Sequence, residues 1–409
     1  MRVLGTASLV FAIALSSVIA ASSSAVRAEQ HASSRGSRPL DGQSIFRFDT
    51  FGDEQLWTGF LRMQEVIPQV SPATAVAVGL KVDAAALPDT VLAALRSGDI
   101  DLNDPAVTLD LLRLNAVVGV KGTVDASGRL VSVGVTCALC HSSVDNSIAQ
   151  GIGARLDGWP NRDLNVGAIV ALSPALDDAT KAELRTWGPG KYDARHHAFD
   201  GMNLIPLNSP SIPALIPPIY GLKGVGFETY TADGPISYWN DYVGVTQMGG
   251  HGSFSDPRIG LSITQVPDLV TPKLPALLDY QLSLRAPKPA AGSFDRDAAD
   301  RGESLFENRA GCATCHRRPA FTDVLDGPDP SVPLLHDPAE IGAEPVYASR
   351  SATGKYRTTP LRALAAHAPY FHDGSAPDLP AVVEHYDKQF GLQLTPREKA
   401  DLVEYLKSL

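Results

Sequence analysis

Past its first thirty or so residues, this 409-residue chain has no apolar run near the roughly 20 residues that a membrane-crossing helix needs. Basic charge is short too: 35 Lys and Arg against 45 Asp and Glu leave a net charge of −10, which argues against nucleic acid and anionic lipid as partners. Methionine is scarce. Met1, Met63, Met202 and Met248 are the full set, so residues 249–409 hold no thioether that could serve a metal. Cysteine is equally scarce, with four residues, Cys137, Cys140, Cys312 and Cys315. In an exported chain this number would ordinarily suggest two disulfides. What is plentiful is glycine (35) and proline (31), which predicts long ordered loops around an ordinary core, since 44% of residues are hydrophobic. Two folded units fit this length.

The first residues supply the one exception to the missing apolar runs. Arg2 opens the chain, an apolar stretch runs from Leu9 to Ala21, and Val26-Arg27-Ala28 offers small residues where a signal peptidase reads. The stretch is too short to span a bilayer and reads as a secretory signal over residues 1–28. Its removal takes away Arg2 and Arg27, moving the net charge from −10 to −12. The mature protein is expected to be exported to the periplasm, with no membrane span.

The cysteine spacing replaces the disulfide reading. Cys137-Ala138-Leu139-Cys140-His141 and Cys312-Ala313-Thr314-Cys315-His316 are two copies of C-x-x-C-H, the c-type haem attachment motif. Two thiols bond the two vinyl groups of one haem, the two intervening residues let the chain turn along its edge, and the histidine is held beneath the iron. A zinc site would want its pairs 15–20 residues apart, and a thioredoxin-like redox pair would occur once and without the histidines. Two copies that consume every cysteine predict two covalent c-type haems, with His141 and His316 as proximal ligands.

Along the chain, residues 46–67 read as an opening helix, with further helices at 83–96 and 105–117 and a short strand at 130–135. The stretch 205–221 carries Pro206, Pro210, Pro213, Pro217 and Pro218, which excludes a long helix, and the chain reads as loop-rich up to about residue 260. A helical pattern returns at 274–287. The small, Pro-rich segment 286–295 is the expected boundary, giving an N-terminal haem domain at 29–290 and a C-terminal cytochrome c domain at 291–409. In the latter, Ala298, Gly302, Leu305 and Phe306 share one helical face. Thr395, Pro396 and Glu398 spell a capped helix start above a stripe of Leu402, Tyr405, Leu406 and Leu409. These two helices are expected to cross, with Gly302 at the close approach. The fold class is mainly α: two cytochrome c-like haem modules with long loops, the N-terminal one enlarged.

A strong sixth ligand makes an electron-transfer haem; an open position admits peroxide or oxygen. With no local methionine, the C-terminal unit offers His336, His367, His372 and His385. His372 stands out, approached through Tyr370 and Phe371 and followed by a turn at Gly374. His367 remains open on these grounds.

The segment YRTTPLRALAAHAPYFHDGS (356–375) and the helices after it resemble the C-terminal signature of bacterial di-haem cytochrome c peroxidases. Relatives of those enzymes include the di-haem enzyme that matures tryptophan tryptophylquinone and the di-haem rubber oxygenases. The resemblance covers roughly residues 296–409, with patchier support in LNSPSIPAL (207–215) and SYWND (237–241). It implies that Trp239 relays electrons between the irons. A Met or Tyr ligand sought just before Lys355 meets Ser351-Ala352-Thr353-Gly354, whereas the rubber-oxygenase pattern selects His372 and pairs Trp239 with Phe254 near the first haem. It further implies that the N-terminal haem has no strong sixth ligand; His196, His197, Met248 and His251 are the groups that would contradict this. The expected function is a di-haem, peroxidase-like oxidoreductase in which the C-terminal haem feeds a reactive N-terminal one. Its electrons would come from a small cytochrome or cupredoxin, and its substrate would be peroxide or oxygen. A non-catalytic electron carrier, or an oxygenase acting on an apolar substrate, is the alternative.

Overall fold

The computed structural model describes residues 40–207, 210–325 and 335–409. The signal reading at 1–28 and Asn208 and Ser209 of the LNSPSIPAL segment lie outside the described residues. Among the described residues, helices carry most of the regular structure, and the strands form six small two-stranded sheets. Residues Asp41–Leu409 make one compact unit.

The expected helix over 46–67 is broken instead into the helix Gly42–Phe48, a π-helical turn Gln55–Phe60 and two short 3₁₀ turns. The breaks fall where Phe51, Gly52 and Arg62 take positive φ, a backbone state that no helix tolerates. The helix expected at 83–96 starts at Asp89, after Pro88, and the next one ends at Arg113, because Asn115 turns left-handed. The strand Leu130–Val135 pairs antiparallel with Val120–Val124 and leads into the first haem motif. Helices also form inside the stretch read as loops, at Val166–Val170, Asp178–Leu184 and Ile236–Tyr242, the last of which carries Trp239.

Among the described residues, buried apolar side chains gather into three clusters. The largest spans residues 45–277 and surrounds the first haem motif. A second lies between residues 82 and 152, and a third joins Phe306, Leu379, Val383, Leu402 and Leu406 around the second motif. In the third, the helices Arg296–Glu307 and Pro396–Ser408 cross as expected. Asp295 caps the first by accepting from the Ala298 amide, and Thr395 with Glu398 closes a capping box on the second. Arg301 grips Asp401 across the crossing through two hydrogen bonds of 2.6 and 2.9 Å. Gly302 sits where a Cβ would lie 2.1 Å from the Asp401 carbonyl oxygen.

Candidate functional site

The two C-x-x-C-H segments adopt the same turn. The His141 amide donates to the Cys137 carbonyl at 3.2 Å, and the His316 amide donates to the Cys312 carbonyl at 2.9 Å. Each imidazole also donates from Nδ1 to a backbone carbonyl, His141 to Pro217 at 3.1 Å and His316 to Phe321 at 2.9 Å. A carbonyl can only accept, so this bond fixes the tautomer that leaves Nε2 with a free lone pair, the arrangement metal-ligating histidines use. Burial keeps both rings neutral, pushing His141 down to about 4 and His316 in the same direction. None of the four cysteines forms a disulfide, and burial lifts Cys137 and Cys140 up to about 12 and Cys312 up to about 11.

Each motif opens on its own cavity. The first, about 260 Å³, contains Cys137, Cys140 and His141 in its wall, with Trp57, Leu139 and Trp239 among mostly apolar neighbours. The second, about 820 Å³, contains Cys312, Cys315 and His316 with Phe306, Leu364 and Leu402. Pro217, Pro218, Glu228, Thr229 and Tyr230 belong to both walls, so a single partition separates the cavities. Trp239 faces the first cavity and donates from Nε1 to the Glu228 carbonyl of that partition at 3.2 Å. On the other side, the Glu228 carboxylate pairs with Arg357 of the second cavity at 3.0 Å, with both side chains buried.

The second cavity carries a demand for negative charge. Arg162 Nε and Nη1, Arg357 Nε and Arg362 Nη1 are buried without hydrogen-bond partners, and all three side chains line it. Burial lowers the pKa of Arg162 and brings Arg362 down to about 10. His367 lies in the same wall, pushed down to about 4 by burial first and then by the Arg162 charge. Arg357 is already paired with Glu228, whereas Arg162 and Arg362 have no carboxylate partner among the described residues, and buried guanidinium groups without one are costly. An apolar cavity edged by such groups fits haem, an apolar macrocycle with carboxylates along one edge.

His372 lines the second cavity, with its Nε2 shared between Glu344 Oε1 at 3.0 Å and the Tyr356 hydroxyl at 3.3 Å. Tyr386, which sequence reading passed over, lines it too. Its hydroxyl has no hydrogen-bond partner among the described residues, and burial, followed by the Cys312 and Cys315 sulfurs, pushes it up to about 12. His385 donates instead to the Ile341 carbonyl at 2.9 Å. His336 is pinned by Asp323 at 3.1 Å and Glu340 at 2.9 Å. Asp323 and His336 come within reach of Cys315, whose sulfur belongs to the haem motif.

In the first cavity, His196, His197 and Met248 all line the wall, whereas His251 does not. Phe254 does not line it either. It packs behind, edge-on to Tyr238 and Tyr242 at ring-centroid distances of 5.4 and 5.2 Å. The partition and the three arginines went unread in the sequence. A usable signal was Arg357 and Arg362 standing in an otherwise uncharged stretch.

Comparison with known proteins finds chains similar to this one over part of its length. The methylamine utilization protein MauG of Methylorubrum extorquens is 35% identical over 129 residues, covering 27% of this chain and 34% of that protein. The cytochrome-c peroxidase IdrP1 of a Pseudomonas strain is 27% identical over 181 residues, covering 33% and 48%. This chain is thus similar, over part of its length, to members of the di-haem cytochrome c peroxidase and MauG-like superfamily. It spans about a third to about half the length of these curated relatives. No family model matches. A solved MauG-like protein associated with microbial copper homeostasis is 20% identical, with a TM-score of 0.36, over 53% of this chain and 85% of that one. No helix among the described residues is long and apolar enough to cross a membrane.

Proposed function

We propose that this chain is a periplasmic di-haem c-type oxidoreductase of peroxidase type, built as a signal over 1–28, an N-terminal haem module over 29–290 and a C-terminal one over 291–409. The observation that carries the reading is the pair of C-x-x-C-H turns closed by the same backbone hydrogen bond, each with a tautomer-fixed histidine, opening on two cavities with one partition between them. Cys137 and Cys140 would attach one haem and Cys312 and Cys315 the other, with His141 and His316 beneath the irons. Haem supplies one-electron redox chemistry and, where a coordination position is open, a place for peroxide or oxygen to react. The chain's own residues do the rest. Arg162 and Arg362 would neutralise the carboxylates of the second haem, and Arg357, whose charge is paired with Glu228, would add its free Nε–H. Trp239, bonded to the partition, lies on the electron path between the cavities. The apolar wall of the first cavity keeps water away. A small cytochrome or cupredoxin is the expected electron donor.

The exported protein should carry two covalent haems per chain by mass, and its ferric spectrum should show a high-spin component that cyanide converts. Only low-spin signals, indifferent to peroxide and cyanide, would sink the enzyme reading in favour of a plain electron carrier. The apolar lining of the first cavity favours one other reading, an oxygenase for an apolar substrate. Peroxide turnover with a reduced small cytochrome separates the two.

His372 is proposed as the sixth ligand of the second haem, for which its Nε2 would exchange Glu344 for iron. His372→Ala should then turn one haem high-spin while both stay attached, and His367→Ala should change little. The unpartnered hydroxyl supports a second candidate in Tyr386. If Tyr386→Phe gives the spin change and His372→Ala does not, the phenol holds that position.

A further inference from the structure

The first cavity holds a titratable group that the scheme above leaves unused. His196 is only 4% exposed and lines the cavity, yet neither ring nitrogen has a hydrogen-bond partner. A buried, unsatisfied imidazole is costly to keep. Its backbone explains how it is held there: the His196 amide donates to the Asp193 carbonyl at 3.4 Å, and its carbonyl accepts from the Leu207 amide at 3.0 Å. The side chain lies edge-on to Trp187 at 6.0 Å and to His197 at 3.9 Å, measured between ring centroids.

One side of the ring leads outward. Glu183 Oε2 lies 3.4 Å from His196 Nε2, and the Glu183 side chain is 35% exposed. Glu183 belongs to the helix Asp178–Leu184, whose Thr180 and Leu184 also line the cavity. Its other oxygen accepts from the Ser211 amide at 2.9 Å, which fixes the carboxylate between solvent and imidazole. Other charged or titratable groups next to His196 in the chain are His197, Arg195 and Asp193; Arg195 pairs with Asp233 at 2.6 Å. Asp193 is committed to Arg350, at 3.0 and 3.2 Å. Burial, with His196 next, lowers the pKa of His197, which favours its neutral form.

We propose that Glu183 and His196 form a proton conduit from solvent into the first cavity, with Glu183 exchanging protons with water and His196 passing them to and from the reacting oxygens. The proposal rests on the peroxidase reading above and deepens it. Reduction of one peroxide to two waters consumes two electrons and two protons. The electrons come from the reduced protein donor through the second haem; the protons come from solvent, and an apolar cavity needs a route for them. A proton taken from Glu183 at Nε2 is matched by one released at Nδ1, so the imidazole returns to its starting charge by exchanging tautomers. His196 would act as general base when a protonated ligand enters and as general acid when oxygen leaves as water.

Cyanide tests this apart from turnover, because hydrogen cyanide must give up its proton to bind ferric haem as cyanide. In the haem-loaded protein, cyanide association is followed by stopped flow from about pH 5 to about pH 9, the range in which imidazole titrates. His196→Gln should slow association about 100-fold and flatten its pH profile, the size expected for loss of a positioned acid–base group. The resting ferric spectrum and haem content should not change. Glu183→Gln, on the accessible side, should slow association severalfold and serves if His196→Gln does not fold. Unchanged rates in either variant would overturn the conduit. So would a low-spin to high-spin change in the resting His196→Gln spectrum, which would make His196 a ligand instead. If the wild-type protein does not bind cyanide at all, the peroxidase reading itself falls, and the conduit with it.

Discussion

Arg357→Met is expected to destabilise the protein by about 3–5 kcal/mol, the usual consequence of removing one partner from a buried ion pair. Arg357 and Glu228 are 3.0 Å apart, with side chains 5% and 7% exposed, so water cannot take over the abandoned carboxylate. Arg357 also donates from Nη1 to the Phe227 carbonyl and from its amide to the Tyr230 carbonyl. It therefore braces the partition on both sides of Glu228. Loss of the guanidinium leaves Glu228 charged and buried, with the ion-pair partner of its Oε2 gone and its Oε1 already lacking a hydrogen-bond partner. Chemical denaturation of the haem-loaded protein measures the cost. A double variant, Arg357→Met with Glu228→Gln, should cost less than the sum of the two single changes, because the charge that made the first so expensive is gone. A loss below about 1 kcal/mol for Arg357→Met would mean that the pair is solvated and the partition is held by other bonds.

Gly302→Ala is expected to cost about 1–3 kcal/mol despite the better helix propensity of alanine, which by itself would gain up to about 1 kcal/mol. The new Cβ would lie 2.1 Å from the Asp401 carbonyl oxygen and 2.7 Å from the Tyr405 Cβ. These atoms belong to the facing helix backbone and the root of a buried side chain, and cannot swing aside. The helices must part, loosening the Arg301–Asp401 bidentate pair and the Phe306–Tyr405 contact, whose ring centroids are 5.2 Å apart. Thermal unfolding of the variant checks this. A neutral or raised midpoint would show that the crossing can widen freely.

Gly302 also shows what the sequence could convey. Its place among Ala298 and Phe306, opposite a capped helix, was readable because helix period and capping are local rules. The haem motifs were readable for the same reason: Cys137 to His141 and Cys312 to His316 are each closed within one turn. The helix expected over 46–67 failed at Phe51 and Arg62, two ordinary residues whose positive φ is imposed by packing and has no signature of its own. The partition was invisible because nothing in it is local. Pro217 takes its hydrogen bond from His141, Glu228 its charge partner from Arg357, and Leu215 donates its amide to the His372 carbonyl at 2.7 Å. Tyr386 was passed over because an aromatic in the helix Leu379–Phe390 reads as core. Phe254, chosen for its spacing from Trp239, joins the same aromatic cluster but stands behind the cavity wall.

The shared partition also bears on how such a protein can be cut, swapped or inherited. A break in the 286–295 segment would give two fragments, each with an intact C-x-x-C-H turn and neither with a whole pocket. The first would lose Tyr347 from its cavity wall, and the second would lose Arg162 and everything from Pro217 to Tyr230. Halves exchanged with a relative would have to bring matching surfaces at Glu228 and Arg357. Two copies of a small motif therefore do not make two interchangeable parts, and the smallest transferable piece is the pair.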